Sequence, residues 1–334
     1  MPEETTYKTA QKTNIDALLK ARKSDALLIY ITGDKRPPES FGTQIHPEVI
    51  PLFYEHLRQI GKKKKISLLL YTSGGALEAP WALVNLIREY CDQFEVLVPS
   101  KALSAGTLIC LGADKIVTTP LSLLSPVDPT GNFVVGNQNR SIQVEDVSGF
   151  IEFAKEKVGL KKQEVLADVL KSLVSDTPPQ VLGNINRTHA LIRLLVSKLL
   201  DTHKKAVTQE KKDSIGKNLT EKLYSHQHLI NRKELLKLGF NNLVEELDAT
   251  NEERLLNIFS YFSDKMELNE VFDPATKLGS QQSYQFTLPR AVIASVNLCH
   301  SFISEYSIEK QESAPGKSTI FLNVKDLGWQ KKDI

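Results

Sequence analysis

The chain has 334 residues, 41% of them apolar and 25% charged, with a formal net charge of +2. These values suit a globular protein with a sizeable core, and they exclude a basic field of the kind that holds nucleic acid or an anionic membrane surface. No run approaches the roughly 18 uninterrupted apolar residues of a membrane span. Residues 1–12 are polar and hold no apolar signal core, and Cys91, Cys110 and Cys299 form no CxxC pair. A reduced, cytoplasmic setting without metal or cofactor is the expectation.

In chain order, Thr13–Lys23 has helical spacing, and Asp25–Ile31 is a short apolar run that reads as a buried strand. Pro47–Ile60 places Val49, Leu52, Phe53, Leu57 and Ile60 on one helical face, and Ile66–Tyr71 (ISLLLY) is a second buried strand. The Lys62–Lys65 run before it reads as a solvated loop. Ala76–Tyr90 predicts a helix, Phe94–Pro99 a strand, Ser104–Leu111 a helix and Ile116–Thr119 a strand. This alternation implies a mostly parallel sheet with helices on both faces, whose ligands sit at the turns after the strands. From Val144 onward the pattern turns helical, over Val144–Val158, Lys162–Val174, Thr188–Thr202, Lys211–Leu223, Glu234–Gly239, Asn251–Asp264 and Ala291–Ile308. Ser318–Val324 has the character of a terminal strand.

Three strings carry candidate chemistry. Thr72-Ser73-Gly74-Gly75 lies between a strand and a helix. Paired glycines let backbone amides turn toward a ligand, although a tight turn needs them equally. Ala102-Leu103-Ser104-Ala105-Gly106-Thr107 also follows a strand and opens a helix. A serine there is either a helix cap or a nucleophile served by neighbouring amides. Gly112-Ala113-Asp114-Lys115-Ile116-Val117 is followed by Ser125-Pro126-Val127-Asp128-Pro129, where Asp128 is a polar turn residue.

LLLYTSGG, VPSKALSAGTLICLGADKIV and SPVDP, in that order, resemble the core of the Clp/crotonase-fold serine peptidases. This superfamily includes the Clp proteolytic subunit, signal-peptide peptidase A and the serine dehydrogenase proteinase group, of which the last is the most similar. The resemblance runs over about Asp25–Thr130 and resumes at Leu223–Glu246. It implies an α/β fold of stacked βαβ units with a mostly parallel sheet flanked by helices. It also implies a serine endopeptidase acting through an acyl-enzyme on Ser104, with the amides of Gly75 and Ala105 as the oxyanion hole. Where the Clp subunit has its histidine, this chain has Asp128. Near the position of that family's aspartate, it has His226 and His228. The resemblance therefore implies His228 or His226 as base with Asp128 orienting it, or else a Ser–Lys dyad using Lys155 or Lys157. Both lysines otherwise read as solvated charges on an amphipathic helix.

Peptide or unfolded-protein substrates and a homo-oligomer follow from the same resemblance, and any ATPase would be a separate partner, since the sequence shows no P-loop. Neither nucleic acid nor a membrane span is expected. The competing readings are a non-catalytic scaffold with this fold, and a crotonase-type acyl-CoA enzyme, which needs no serine at position 104. The expected layout is a flexible segment 1–12, a peptidase domain 13–250 and a helical extension 251–334.

Overall fold

A computed structural model describes residues 2–34, 42–127, 130–135, 138–143, 149–176, 178–220, 228–314 and 317–333. The first half alternates as read. It runs α1 (Pro2–Arg22), β1 (Ala26–Thr32), α2 (Val49–Ile60), β2 (Lys63–Tyr71), α3 (Glu78–Arg88), β3 (Cys91–Val98), α4 (Ala105–Leu111) and β4 (Lys115–Thr118). Helix α1 begins at Pro2 and so includes most of the opening segment 1–12. Short strands β5 (Leu123–Leu124), β6 (Thr130–Val135) and β7 (Gln138–Gln143) come next, β6 and β7 forming a hairpin that apolar patterning did not reveal. Helices follow over Gln163–Asp176, Pro179–Asp201 and Gln209–Thr220. Strand β8 (Ile230–Asn231) leads into the short helix Arg232–Leu235, and β9 (Val244–Glu246) precedes the helix Ala249–Lys265. After the short helix Pro274–Leu278, the chain ends in three long strands, β10 (Ser283–Ser295), β11 (Leu298–Ala314) and β12 (Lys317–Asp333).

The main sheet has eight strands in the order β12-β11-β10-β1-β2-β3-β4-β9. Strands β1, β2, β3, β4 and β9 are parallel, and β10 to β12 add an antiparallel meander beside β1. The expected helical extension over 251–334 is therefore corrected. Ala249–Lys265 is helical, but Ala291–Ile308 forms most of a hairpin that turns at Val296 and Asn297. Its pattern misleads because a register shift at Ile303/Ser304 breaks the alternation, and polar His300, Ser301 and Ser304 are buried among the apolar residues.

Alternate residues of the central strands enter two cores, as the two-residue period of a strand requires. Leu28, Tyr30, Leu68, Leu70, Val96 and Val98 pack with Phe53, Leu83, Leu108 and Leu199 on one side. Leu27, Ile29, Ile31, Leu69, Leu97 and Val117 meet Leu18, Leu255 and Ile258 on the other. The lysine run is not wholly a loop. Lys63–Lys65 open β2, and Lys65 Nζ lies 2.7 Å from the carboxylate of Glu95, which is 1% exposed. Arg22 Nη2 donates to the same carboxylate at 2.8 Å, Ser67 Oγ donates at 2.6 Å, and Arg22 Nη1 reaches Glu245 at 2.6 Å.

Candidate active site

The parallel strands aim their carboxyl ends at one edge, and both expected motifs are stitched together there. Past the end of β2, the Thr72 amide donates to the Lys101 carbonyl at 3.1 Å, and the Leu103 amide donates to the Thr72 carbonyl at 3.0 Å. These bonds carry the β2–β3 pairing into the loops and draw the diglycine turn against Ser104. Thr72 also shapes that turn directly. Its Oγ1 accepts from the Gly74 amide at 3.0 Å and from Thr32 Oγ1 at 2.8 Å.

Ser104 stands at φ +50°, ψ −111°, a conformation that a non-glycine residue adopts only when its surroundings enforce it. It stands at the N-cap position of α4, but its side chain accepts no capping hydrogen bond. The Ser104 amide donates to the buried Ser125 Oγ at 2.8 Å. Ser125 is held in turn by Thr107, whose Oγ1 accepts from the Ser125 amide at 3.2 Å. Among the described residues the Ser104 hydroxyl has no hydrogen-bond partner, and the Gly75 and Ala105 amides have no acceptor.

The glycines are fixed by contact. Gly74 has φ +115°, and a Cβ there would lie 2.9 Å from Ser104 Cβ and 3.5 Å from Ser104 Oγ. A Cβ on Gly75 would meet the Ile45 carbonyl oxygen at 2.1 Å, because Ile45 bonds to both Gly74 and Ala76. One on Gly106 would stand 2.5 Å from Thr72 Cγ2, so the small residue two after Ser104 lets α4 sit on Thr72.

The third string has a bracing role. A Cβ on Gly112 would meet Val84 Cγ1 at 2.5 Å, so this glycine lets the end of α4 pack closely on α3. Asp114 accepts from Arg88 Nη1 at 2.6 Å, from the Phe94 amide at 2.9 Å and from the Lys204 amide at 2.8 Å. Burial acts to raise the Asp114 carboxyl, but these donors outweigh it and hold the group below the usual carboxylate range.

The proposed bases are less closely gathered. Asp128 and His226 lie outside the described residues. Lys155 and Lys157 are both exposed on a π-helical turn, Phe153–Lys157. Strand β8 pairs with β5 as Leu123↔Asn231 and Leu124↔Ile230, so the segment that follows His228 runs beside the strand that leads into Ser125. His228 Nε2 lies 2.8 Å from Glu234 Oε1, a carboxylate partner that sequence reading missed. Its signal was a glutamate in the helix that follows the two histidines. Asp34 and Lys101, also overlooked, form an ion pair at the same edge.

Fold and site define a class: an α/β protein that presents a strained serine beside a diglycine turn at the carboxyl edge of a parallel sheet. Comparison with known proteins shows what the chain is similar to. The family model of the ClpP-like SDH-type serine proteinases matches residues 53–177, a stretch holding Gly75, Ser104 and Ala105, and this bears out the resemblance of the motifs. The matched stretch ends before His226 and His228. Two uncharacterised proteins of Methanocaldococcus jannaschii are similar. One is 28% identical over 199 residues, covering 57% of this chain and 59% of that protein, and the other is 34% identical over 64 residues, covering 19% and 22%. The chain thus matches less than two thirds of the length of either relative. Among solved structures, a membrane-bound stomatin-specific protease with a substrate peptide aligns at TM-score 0.37 and 18% identity, over 62% of this chain and 73% of its own. ClpP1 from Listeria monocytogenes aligns at TM-score 0.37 and 13% identity, over 67% and 94%. Among the described residues, no helix is long and apolar enough to cross a membrane, and no cluster of His, Cys, Asp and Glu could hold a metal ion.

Proposed function

We propose that this protein is a serine peptidase that cleaves peptide bonds through an acyl-enzyme on Ser104. The observation that carries the reading is the Ser104 conformation itself: a hydroxyl held in a strained turn, making no capping hydrogen bond and set against Gly74. Such a turn exposes a nucleophile at the end of a strand, and backbone amides without protein acceptors are what a developing oxyanion requires. In this reading Ser104 Oγ attacks the scissile carbonyl and the amides of Gly75 and Ala105 receive the negative charge. Each such donor contributes about 3–4 kcal/mol to the transition state.

For the base this reading takes His228, because β8 runs beside the strand that leads into Ser125 and because Glu234 holds the ring at Nε2, which leaves Nδ1 to take the serine proton. His226 with Asp128, or Lys155 or Lys157, are the alternatives. Residues 13–250 would form the catalytic unit. The substrate would be an unfolded chain or peptide, and a homo-oligomer would shelter the site, both by likeness to the Clp-type peptidases and with or without an ATPase partner.

The test is incubation of the full chain with a reduced, unfolded protein and with a mixed peptide library, analysed by mass spectrometry. New termini that appear with wild type and vanish with Ser104→Ala support the reading. Turnover of an acyl-CoA thioester without peptide cleavage would replace it with the crotonase-type reading.

A further inference from the structure

One carboxylate ties the two halves of the site together. Asp34 follows the end of β1 and belongs to neither the diglycine string nor the serine string. Its Oδ1 accepts from Tyr71 Oη at 2.8 Å, and its Oδ2 accepts from Ser73 Oγ at 3.0 Å and from Lys101 Nζ. Ser73 immediately precedes Gly74-Gly75, and Lys101 is three residues before Ser104. The Lys101 ammonium also lies 5.3 Å from the centre of the Tyr71 ring.

The anchor behind Asp34 is firm. The neighbouring Gly33 amide donates to the Arg290 carbonyl of β10 at 2.7 Å, and a Cβ on Gly33 would stand 2.6 Å from that oxygen. The carboxylate is thus held beside the β1–β10 frame, while Tyr71 donates from the end of β2 and Ser73 and Lys101 donate from the two loops whose relative placement sets the Gly74–Ser104 contact. A structural surface ion pair needs one partner and is worth little. Here the carboxylate accepts three times, and two of the donors sit within three residues of the proposed machinery.

We propose that Asp34 is a positioning residue that, with Lys101, locks the Ser73-Gly74-Gly75 turn to the Lys101–Ser104 loop and so keeps the Gly75 amide in register with the Ser104 hydroxyl. This rests on the peptidase reading of Ser104. It adds a residue that touches no substrate but fixes the distance between nucleophile and oxyanion donor. Loss of the brace lets the two loops drift independently. A displacement of about 1 Å in such a pair lowers the rate by on the order of 100-fold.

The test measures fluorophosphonate inactivation of the full chain, separating the rate of covalent attachment from reversible probe binding. Hydrogen exchange of peptides spanning 72–76 and 101–106 runs alongside it. Asp34→Ala and Lys101→Ala are each expected to slow covalent attachment by roughly 100-fold while probe binding stays within about twofold. Both should speed exchange in the two loops, and the double variant should be no slower than either single one. Lys101→Arg, which keeps a donor to Asp34, should restore most of the rate. Covalent attachment unchanged in Asp34→Ala, or exchange unchanged in both loops, overturns the proposal. If wild type itself does not react, the peptidase reading fails separately. The exchange data then decide whether Asp34 couples the loops.

Discussion

Gly74→Ala is a perturbation whose size can be worked out in advance. The backbone there has φ +115°, so an alanine carries strain of about 1–3 kcal/mol before any contact is considered. Its Cβ would then lie 2.9 Å from Ser104 Cβ and 3.2 Å from the Leu103 carbonyl oxygen. Carbon atoms prefer roughly 3.5–4.0 Å, so Ser104 or the turn must move by more than half an ångström. A shift of that order at a nucleophile lowers its rate by about 100-fold. Two controls separate strain from contact. Gly61→Ala has φ +69° with nothing within 4 Å, so it carries strain alone. Gly183→Ala lies in the helix Pro179–Asp201 with open space around it, and should stabilise by about 1 kcal/mol. The assay pairs urea unfolding with the rate of fluorophosphonate attachment. Gly74→Ala should lose stability and nearly all reactivity, while Gly61→Ala loses stability alone. Wild-type reactivity in Gly74→Ala would show that the turn and Ser104 are not in the described contact.

Other expectations follow from the same packing. Glu95→Ala strands Arg22 and Lys65 beside a buried hole and should destabilise the fold by about 3–5 kcal/mol in denaturant titration, with loss of under 1 kcal/mol arguing that water reaches the site. His56 is buried between Ser295 Oγ at 2.8 Å and His300 Nδ1 at 3.0 Å, while His300 Nε2 reaches Glu55 at 3.3 Å. With the Ser295 hydroxyl donating to His56 Nδ1 and each imidazole donating through Nε2, both rings are satisfied as neutral groups. Burial, with the neighbouring His300 and Lys331 charges against Glu55, pushes His56 down from 6.5 to about 4. The unfolded chain therefore takes up a proton first as the pH falls. Its stabilisation should be complete above about pH 6.5, decline down to about pH 4 and change no further below that. His56→Gln should flatten that decline in urea titrations across the range, and an unchanged slope would assign it elsewhere. His228→Ala should slow Ser104 acylation by on the order of 1,000-fold or more if it is the base, whereas retained acylation would turn attention to Lys155 and Lys157.

Much of the core was legible because it obeys simple periods. The Leu27–Ile31 and Ile66–Leu70 runs are buried on both faces and almost wholly apolar, as strands covered on both sides must be. Helix α2 places Val49, Phe53 and Leu57 on one buried face. The Ser104 turn and the diglycine turn were legible as motifs, though not their contact, which depends on Thr72 bonding across to Lys101 and Leu103. The C-terminal meander was not legible, since its buried His300, Ser301 and Ser304 find partners or packing in other strands and helices that no local pattern records. Asp34, Glu95 and Glu234 escaped for the same reason. Each is an ordinary carboxylate whose meaning comes from donors distant in the chain or on the next element.

The central claim is that Ser104 is an activated nucleophile. Intact-mass measurement of the full chain after fluorophosphonate treatment, with peptide mapping of the adduct, tests it most directly. The account predicts a single adduct on Ser104, absent from Ser104→Ala. A folded wild-type protein that gains no adduct, or gains one at another serine, would contradict it.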